Sequence, residues 1–296
     1  MMRVLMLGGT GSIGAAIVRE LVARGHDVSG LARSDGAAAK LAALGSTALP
    51  GDIAAPGRWV GALQAFDAVI HAACDFDAAM GETDRRLLDA LLPALAAASP
   101  PRKPRFIYTG GCWLFGATGD DVATEATPFR PLPAFAWMVP HLRRVLAAEG
   151  IDGIVIHPAM VYEAAGGVFR RFAEDAAAGE AIRIVGGEAV RWPLVHGADL
   201  AVLYALALER GAAGASYIGA AIDGTPIGRI ARAFARRFRT RRGEPHIIAA
   251  DTIAAELGDW ARGYALDQRL SGAKAKRDLG WQPTRLDPEG EIARLP

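Results

Sequence analysis

With 296 residues, 51% of them hydrophobic, the chain has apolar surface enough for one large domain, or for one domain carrying a small lobe. A formal net charge of +1 excludes a strongly basic or acidic surface, so neither nucleic acid nor an anionic membrane is an expected partner. Two cysteines, Cys74 and Cys112, cannot build a disulfide framework, no apolar run is long enough to cross a bilayer, and no signal-peptide pattern opens the chain, so a cytoplasmic protein is expected.

Val4 to Leu7 is a short apolar strand, and glycines at positions 8, 11 and 14 follow it as G-x-x-G-x-x-G. From Ser12 the period changes. Ile13, Ile17 and Leu21 recur every four residues, which predicts an amphipathic helix ended by Gly25. Strand, glycine turn and helix make a phosphate cradle: glycines let the backbone approach a pyrophosphate, and the helix N-terminus offers unpaired N–H groups. A second strand, His26 to Arg33, ends in Ala32-Arg33-Ser34 with no carboxylate before Asp35. In dinucleotide folds a carboxylate at this point holds ribose hydroxyls, whereas an arginine accommodates a 2′-phosphate. Arg33 therefore favours NADP(H), without excluding NAD(H).

Asp35 to Leu44 reads as a short helix, Ser46 to Leu49 as a third strand, and Arg58 to Phe66 as another helix. Asp67 to Ala73 has the continuous apolar character of a central parallel strand. Glu82 to Ala98 is a long helix with a proline-rich exit from Ser99, and Arg105 to Thr109 is a fifth strand. The alternation predicts an α/β fold, a doubly wound parallel sheet of Rossmann type.

Seven segments in order then carry a family likeness. They are GGTGSIG at Gly8 to Gly14, GDI at Gly51 to Ile53, HAA at His71 to Ala73, and YTGGCWLFG at Tyr108 to Gly116. HPAMVY at His157 to Tyr162, WPLVHGADLA at Trp192 to Ala201, and SGAKAKRDLGWQP at Ser271 to Pro283 complete the set. On these residues the chain resembles the extended short-chain dehydrogenase/reductases, the group of sugar-nucleotide epimerases, dehydratases and related reductases. The resemblance implies that Gly8, Gly11, Ser12, Ile13 and Gly14 cradle the pyrophosphate, and that Asp52 and Ile53 meet the adenine. It also implies that Ala72 and Ala73 line the cofactor ribose, and that Thr109 and the segment from Pro158 to Tyr162 lie beside the nicotinamide.

The same likeness implies a dinucleotide-binding domain over residues 1–165 and a smaller substrate lobe over residues 166–296, with Tyr217 to Gly219 returning to the sheet. In that lobe Val168 to Ala178 and Pro226 to Arg239 read as helices, and Ile182 to Val185 as a strand. Arg229, Arg232, Arg236, Arg237, Arg239, Arg241 and Arg242 read as a solvated face rather than a phosphate site. Asp199 is expected to fix a helix, and Lys274 to approach the substrate. By analogy with relatives, the helix Glu82 to Ala98 and the helix bearing His141 could pair across a homodimer.

The chain departs from the family at its catalytic dyad. The family's tyrosine passes a proton to or from a carbonyl, and a lysine one helical turn on lowers its pKa and holds the ribose. Here Trp137-x-x-x-His141 stands in that place, Gly111 stands where a serine or threonine is usual, and no lysine occurs between Lys103 and Lys274. Thr109, His141 and Tyr162 are left to handle protons: a nearby hydroxyl, an imidazole on the face of Trp137 that could also reach the ribose, and a phenol near the nicotinamide. Pro140 leaves the facing of that helix open. Asp75 and Asp77 are further candidates for a base, while Cys112 has no basic neighbour in sequence to activate it. Each of these residues also reads as a packed or solvated side chain. Trp113, Trp137 and Trp192 suggest an apolar pocket, better suited to a planar substrate than to a nucleotide sugar. No metal site is expected.

The expected activity is that of an NADP(H)-dependent oxidoreductase or epimerase-type enzyme on a small-molecule carbonyl or alcohol, its proton moved by a water relay between Thr109 and His141. The missing dyad keeps two other readings open: a non-redox isomerase, lyase or cyclase on this scaffold, and a catalytically silent NADP(H)-binding sensor.

Overall fold

The computed structural model describes residues 1–97, 103–163, 166–240 and 243–296. Strand β1 (Arg3–Leu7), buried from Val4 onward, turns at Gly8 into helix α1 (Ser12–Ala23). The turn requires glycine at two places. Gly8 has φ +85°, and a Cβ on it would stand 2.7 Å from the Ala72 carbonyl oxygen; a Cβ on Gly14 would stand 2.0 Å from the Gly8 oxygen. Close packing of strand end against helix start leaves no room for a side chain.

The chain continues through β2 (Asp27–Ala32), α2 (Asp35–Ala43), β3 (Thr47–Pro50), β4 (Ala68–His71), α3 (Met80–Ala97), β5 (Arg105–Thr109), α4 (Met138–Ala147) and β6 (Asp152–Pro158). Then come β7 (Met160–Glu163), β8 (Gly166–Gly167), α5 (Arg170–Ala177), β9 (Arg183–Val185), β10 (Arg191–His196), α6 (Gly197–Arg210) and β11 (Ser216–Gly219). The last part holds β12 (Ile222–Pro226), α7 (Ile227–Phe238), β13 (His246–Ile248), α8 (Ala250–Leu257), α9 (Ala273–Leu279) and α10 (Pro288–Ala293).

Among the described residues, seven parallel strands pair in the order β11-β6-β5-β4-β1-β2-β3. All four residues of β4 and four of the five in β1 are buried, as strands covered by helices on both faces must be. The winding reverses between β1 and β4, so the loops after these two strands part and open a crevice at the strands' C-terminal ends. A second sheet, β12-β10-β7-β8, and a short pair, β13-β9, follow, and β7 and β8 bring Met160, Val161 and Gly167 to the crevice. β11 pairs with β6 in register Ser216 to Val155, and α6 packs against α1, so late segments complete the first sheet and its cover. One apolar core runs through both halves. No helix among the described residues is long and apolar enough to cross a membrane.

One local expectation is corrected. The helix expected over Arg58 to Phe66 is instead two 3₁₀ turns, Pro56–Arg58 and Val60–Ala65. Trp59 separates them: its ring is buried, with the indole N–H donating to the Asp52 carbonyl at 2.8 Å, and glycines 57 and 61 weaken a longer helix. The helix bearing His141, whose facing Pro140 left open, starts at Met138, after a 3₁₀ turn at Pro133–Phe135. Pro140 therefore lies in the first turn, where backbone N–H groups have no helical partner, and it breaks nothing. The proline-rich exit at residues 98–102, Arg241 and Arg242 lie outside the described residues.

Candidate active site

The crevice is a cavity of about 490 Å³, walled by the ends of β1, β4, β5 and β6. At one end Gly11, Ser12, Ile13 and Gly14 face it. Gly11 is the N-cap of α1 and supplies no side-chain cap, so the first N–H groups of the helix have no protein acceptor from that residue. A Cβ on Gly11 would meet only the Gly8 oxygen, at 3.5 Å, so the space beside it is open. This donor-lined cradle fits a pyrophosphate. Ala72, Ala73, Thr109 and Pro158 line the same cavity.

Asp52 and Ile53 follow β3 outside this wall. The Asp52 carboxylate accepts from the Ala54 N–H at 2.9 Å, which shapes the turn, and Ile53 lines a small recess next to Ala73. Arg33 is exposed beyond β2, and its guanidinium stands 3.5 Å from the Asp75 carboxylate. Asp75 is thus a surface ion-pair partner. Asp77 accepts from the Ala79 N–H at 2.9 Å, and neither carboxylate lines the large cavity.

The far end of the cavity is aromatic, lined by Phe76, Trp113, Phe135, Trp137, Trp260 and Tyr264. Five of these rings form a continuous cluster, with Trp113 5.6 Å from Phe135 and 6.1 Å from Trp260, and Phe76 5.1 Å from Trp260, while Trp137 packs its ring edge-on to His141. Trp192, expected in this pocket, is instead core: it stacks on Phe172 at 6.0 Å and donates to the Tyr264 carbonyl at 3.0 Å.

The residues expected to move protons are scattered. Thr109 faces the cavity with its hydroxyl 2.7 Å from that of Tyr204 on α6. His141 is buried on α4, behind Trp137, and its Nδ1 donates to the Asp84 carboxylate at 2.6 Å. The two do not share a partner, so the relay expected between them is not formed. Tyr162 is corrected outright. Met160 and Val161 of β7 line the cavity and Tyr162 does not; its hydroxyl donates to the Arg285 carbonyl at 2.9 Å and its ring stacks on Phe169. Lys274 is also remote: its ammonium donates to the Ser216 carbonyl at 2.8 Å and lies over the Tyr217 ring. Burial pushes the Cys112 thiol up to about 12 and the Cys74 thiol to about 11, which leaves neither as a nucleophile at neutral pH. Gly111 is extended, and a Cβ there would meet nothing within 4 Å, so a hydroxyl side chain is absent from space that would hold one.

Asp199, buried in α6, takes the backbone N–H groups of Thr284 and Arg285 at 3.1 and 2.8 Å; it clamps the C-terminal segment rather than its own helix, which His196 caps. The arginines of α7 are paired at the surface, Arg229 with Glu289 and Arg232 with Glu244, the latter at 3.2 Å.

The main feature that sequence reading missed centres on Asp84. Its carboxylate accepts from His71 Nε2 at 2.8 Å, from His141 Nδ1 at 2.6 Å and from the Tyr108 hydroxyl at 2.9 Å. All four side chains are buried, and His71, Asp84 and Tyr108 lie on the cavity wall. Burial works to raise the Asp84 carboxyl, but the donors from His141, His71 and Tyr108 outweigh it and hold the group ionised, well below the usual carboxylate range. Burial and the Asp84 charge together push the Tyr108 phenol up. A signal was present in the sequence: Asp84 begins the buried stripe Leu87, Leu88, Leu91 and Leu95 of α3, and a carboxylate on an apolar stripe needs a partner.

His157, on β6, is enclosed by Gly110, Phe115 and Phe129, and burial lowers its pKa from 6.5 to about 4. The unfolded chain takes up this proton below pH 6.5, while the folded chain refuses it until about pH 4. Stability is therefore full above 6.5 and is lost as pH falls toward 4, by about 3 kcal/mol in urea titrations; His157→Leu should flatten that slope.

A profile of the NAD dependent epimerase/dehydratase family matches residues 4–219. An uncharacterized protein of Schizosaccharomyces pombe is 30% identical over 292 residues, covering 96% of this chain and 95% of its own. The 4-hydroxy-2-methyl-3-oxo-4-farnesyl-3,4-dihydroquinoline-1-oxide ketoreductase of Stigmatella aurantiaca is 26% identical over 314 residues, covering 95% of this chain and 92% of its own. Among solved structures, the dTDP-glucose 4,6-dehydratase of Streptomyces venezuelae, crystallised with NAD, superposes with a TM-score of 0.82 at 22% identity over 99% of this chain and 95% of its own. That last likeness bears on the fold. With the family profile spanning most of the doubly wound sheet and its glycine cradle, the chain belongs to the NAD dependent epimerase/dehydratase family and is an enzyme of that oxidoreductase and epimerase type.

Proposed function

We propose that the protein is an NADP(H)-dependent oxidoreductase that interconverts a ketone and an alcohol on a small, planar, largely apolar molecule. One observation carries this reading: the glycine cradle and the aromatic wall are two ends of a single cavity. Gly11 to Gly14 would hold the dinucleotide's pyrophosphate, and Pro158, Trp113, Trp137 and Tyr264 line the same cavity where its reactive end would be met. When bound, the nicotinamide supplies hydride chemistry. The chain supplies the rest. N–H groups at the start of α1 hold the pyrophosphate, Ala72 and Ala73 leave room for the ribose, Asp52 and Ile53 face the adenine, and the tryptophan rings stack a flat substrate and exclude water. The clustered aromatic rings, with Arg170 as the cation on the cavity wall among the described residues, favour a flat apolar molecule over a nucleotide sugar. The ketoreductase relative from Stigmatella, whose named compound is a bicyclic ketone, supports the same substrate class.

The 2′-phosphate falls to Arg33, which exchanges its Asp75 partner for the phosphate. Both side chains are exposed, 66% and 45%, so the exchange costs little. Arg33→Ala should weaken NADPH about tenfold and leave NADH unchanged, as read by titration calorimetry; this is the scale of one charge-assisted contact. Activity is tested by following the nicotinamide absorbance with planar aromatic ketones and, separately, nucleotide sugars. NADPH oxidation with the ketones alone is expected. Dinucleotide binding with no absorbance change for any ketone or alcohol would contradict the redox reading, and would favour a silent sensor or a non-redox enzyme.

A further inference from the structure

The proton in such a reaction needs a carrier, and most polar groups on the cavity wall cannot serve. Ser12 and Thr109 are alcohols, the second committed to Tyr204. The cavity's two thiols, Cys74 and Cys112, and the Tyr264 phenol are all pushed up by burial. Among the described residues on the wall, His71 is the one imidazole, the side chain suited to exchange protons near neutrality. Its Nε2 is fixed on Asp84 at 2.8 Å, and its Nδ1 meets only the Ala73 N–H, at a weak 3.5 Å. That is the geometry of a base oriented by a carboxylate.

We infer that His71, oriented by Asp84, carries the proton for the carbonyl–alcohol interconversion in place of the absent tyrosine, with His141 as the positioning residue that fixes the other carboxylate oxygen. The inference rests on the oxidoreductase reading above. In the reducing direction the carbonyl carbon receives a hydride, two electrons with one hydrogen, from the reduced nicotinamide. The carbonyl π pair moves onto oxygen, an O–H bond forms there, and the Nδ1–H bond of the His71 imidazolium breaks. The lone pair left on Nδ1 then faces the Ala73 N–H. Asp84 stays ionised throughout, because the His71, His141 and Tyr108 donors satisfy it in both states. Solvent returns the proton before the next turnover. Asp84 and His141 act through His71 and touch no reacting atom.

The test compares wild type, Asp84→Asn and His71→Gln by pH-dependent kinetics, NADPH binding and histidine NMR of the dinucleotide-free protein. Asp84→Asn should bind NADPH within about threefold of wild type, lower kcat by about 100-fold with little change in KM, and move the pH limb set by the imidazole to lower pH by about one unit. The His71 resonance should titrate in wild type and shift to lower pH in Asp84→Asn. His71→Gln should lose kcat by about 100-fold or more at unchanged NADPH affinity. Variants that only melt earlier, with kcat, pH profile and imidazole titration intact, would make the cluster a packing device and overturn the inference. If Asp84→Asn does not fold, His71→Gln and the wild-type titration decide: a His71 that fails to titrate between pH 5 and 9 overturns it. A wild type that oxidises no NADPH with any ketone fails the function reading instead, and the same titration then judges the cluster by itself.

Discussion

Gly14→Ala should weaken dinucleotide binding about 100-fold, while Gly61→Ala passes unnoticed. The added methyl would stand 2.0 Å from the Gly8 oxygen and 2.8 Å from the Gly8 carbonyl carbon, both backbone atoms that no rotamer change can move. The loop before α1 must then lift from the helix, which spoils the cradle at the place where N–H groups converge. Overpacking of this kind costs about 3 kcal/mol of stability, and a displaced cradle should lower NADPH affinity by about 100-fold. Gly61→Ala is the control, because a Cβ there meets nothing within 4 Å. Urea unfolding and calorimetry read both effects. Near-wild-type affinity in Gly14→Ala would show that the dinucleotide does not depend on this turn.

Asp84→Ala should be the most damaging change in the core. It deletes the acceptor of three buried donors at once, two imidazoles and a phenol. The side chains are at most 9% exposed, so solvent replaces the lost acceptor poorly. Removing one side of a buried charged network costs about 3–5 kcal/mol, more than the side chain's own packing. Asp84→Asn keeps an acceptor oxygen and the volume, so it should lose clearly less. Equal loss in the two variants would mean that shape, rather than hydrogen bonding, holds α3 to β4 and α4.

The parts of the fold legible in the sequence are those set by local period and by glycine. Apolar runs at β1, β4 and β5, and the four-residue beat of α1, depend on neighbours close in the chain. The Arg58 to Phe66 segment was not legible, because a single anchored Trp59 overrides a weak helical pattern. Sites were harder, because their partners come from far away. Asp84 meets His71 across 13 residues, Tyr108 across 24 and His141 across 57, and no spacing rule links them. Tyr162 misled because its partners, Phe169 and the Arg285 carbonyl, come from segments no local pattern links to β7. The Arg33–Asp75 pair likewise forms only once β2 and β4 flank β1 and the loops after them meet across its end.

The central claim is that the glycine cradle holds a dinucleotide, with Arg33 reading its 2′-phosphate. Titration of the wild-type protein with NADPH and with NADH by calorimetry tests it most directly. NADPH should bind with a dissociation constant on the order of micromolar, and NADH about tenfold more weakly. Equal affinities would contradict the role of Arg33, and absence of binding by either dinucleotide would contradict the account as a whole.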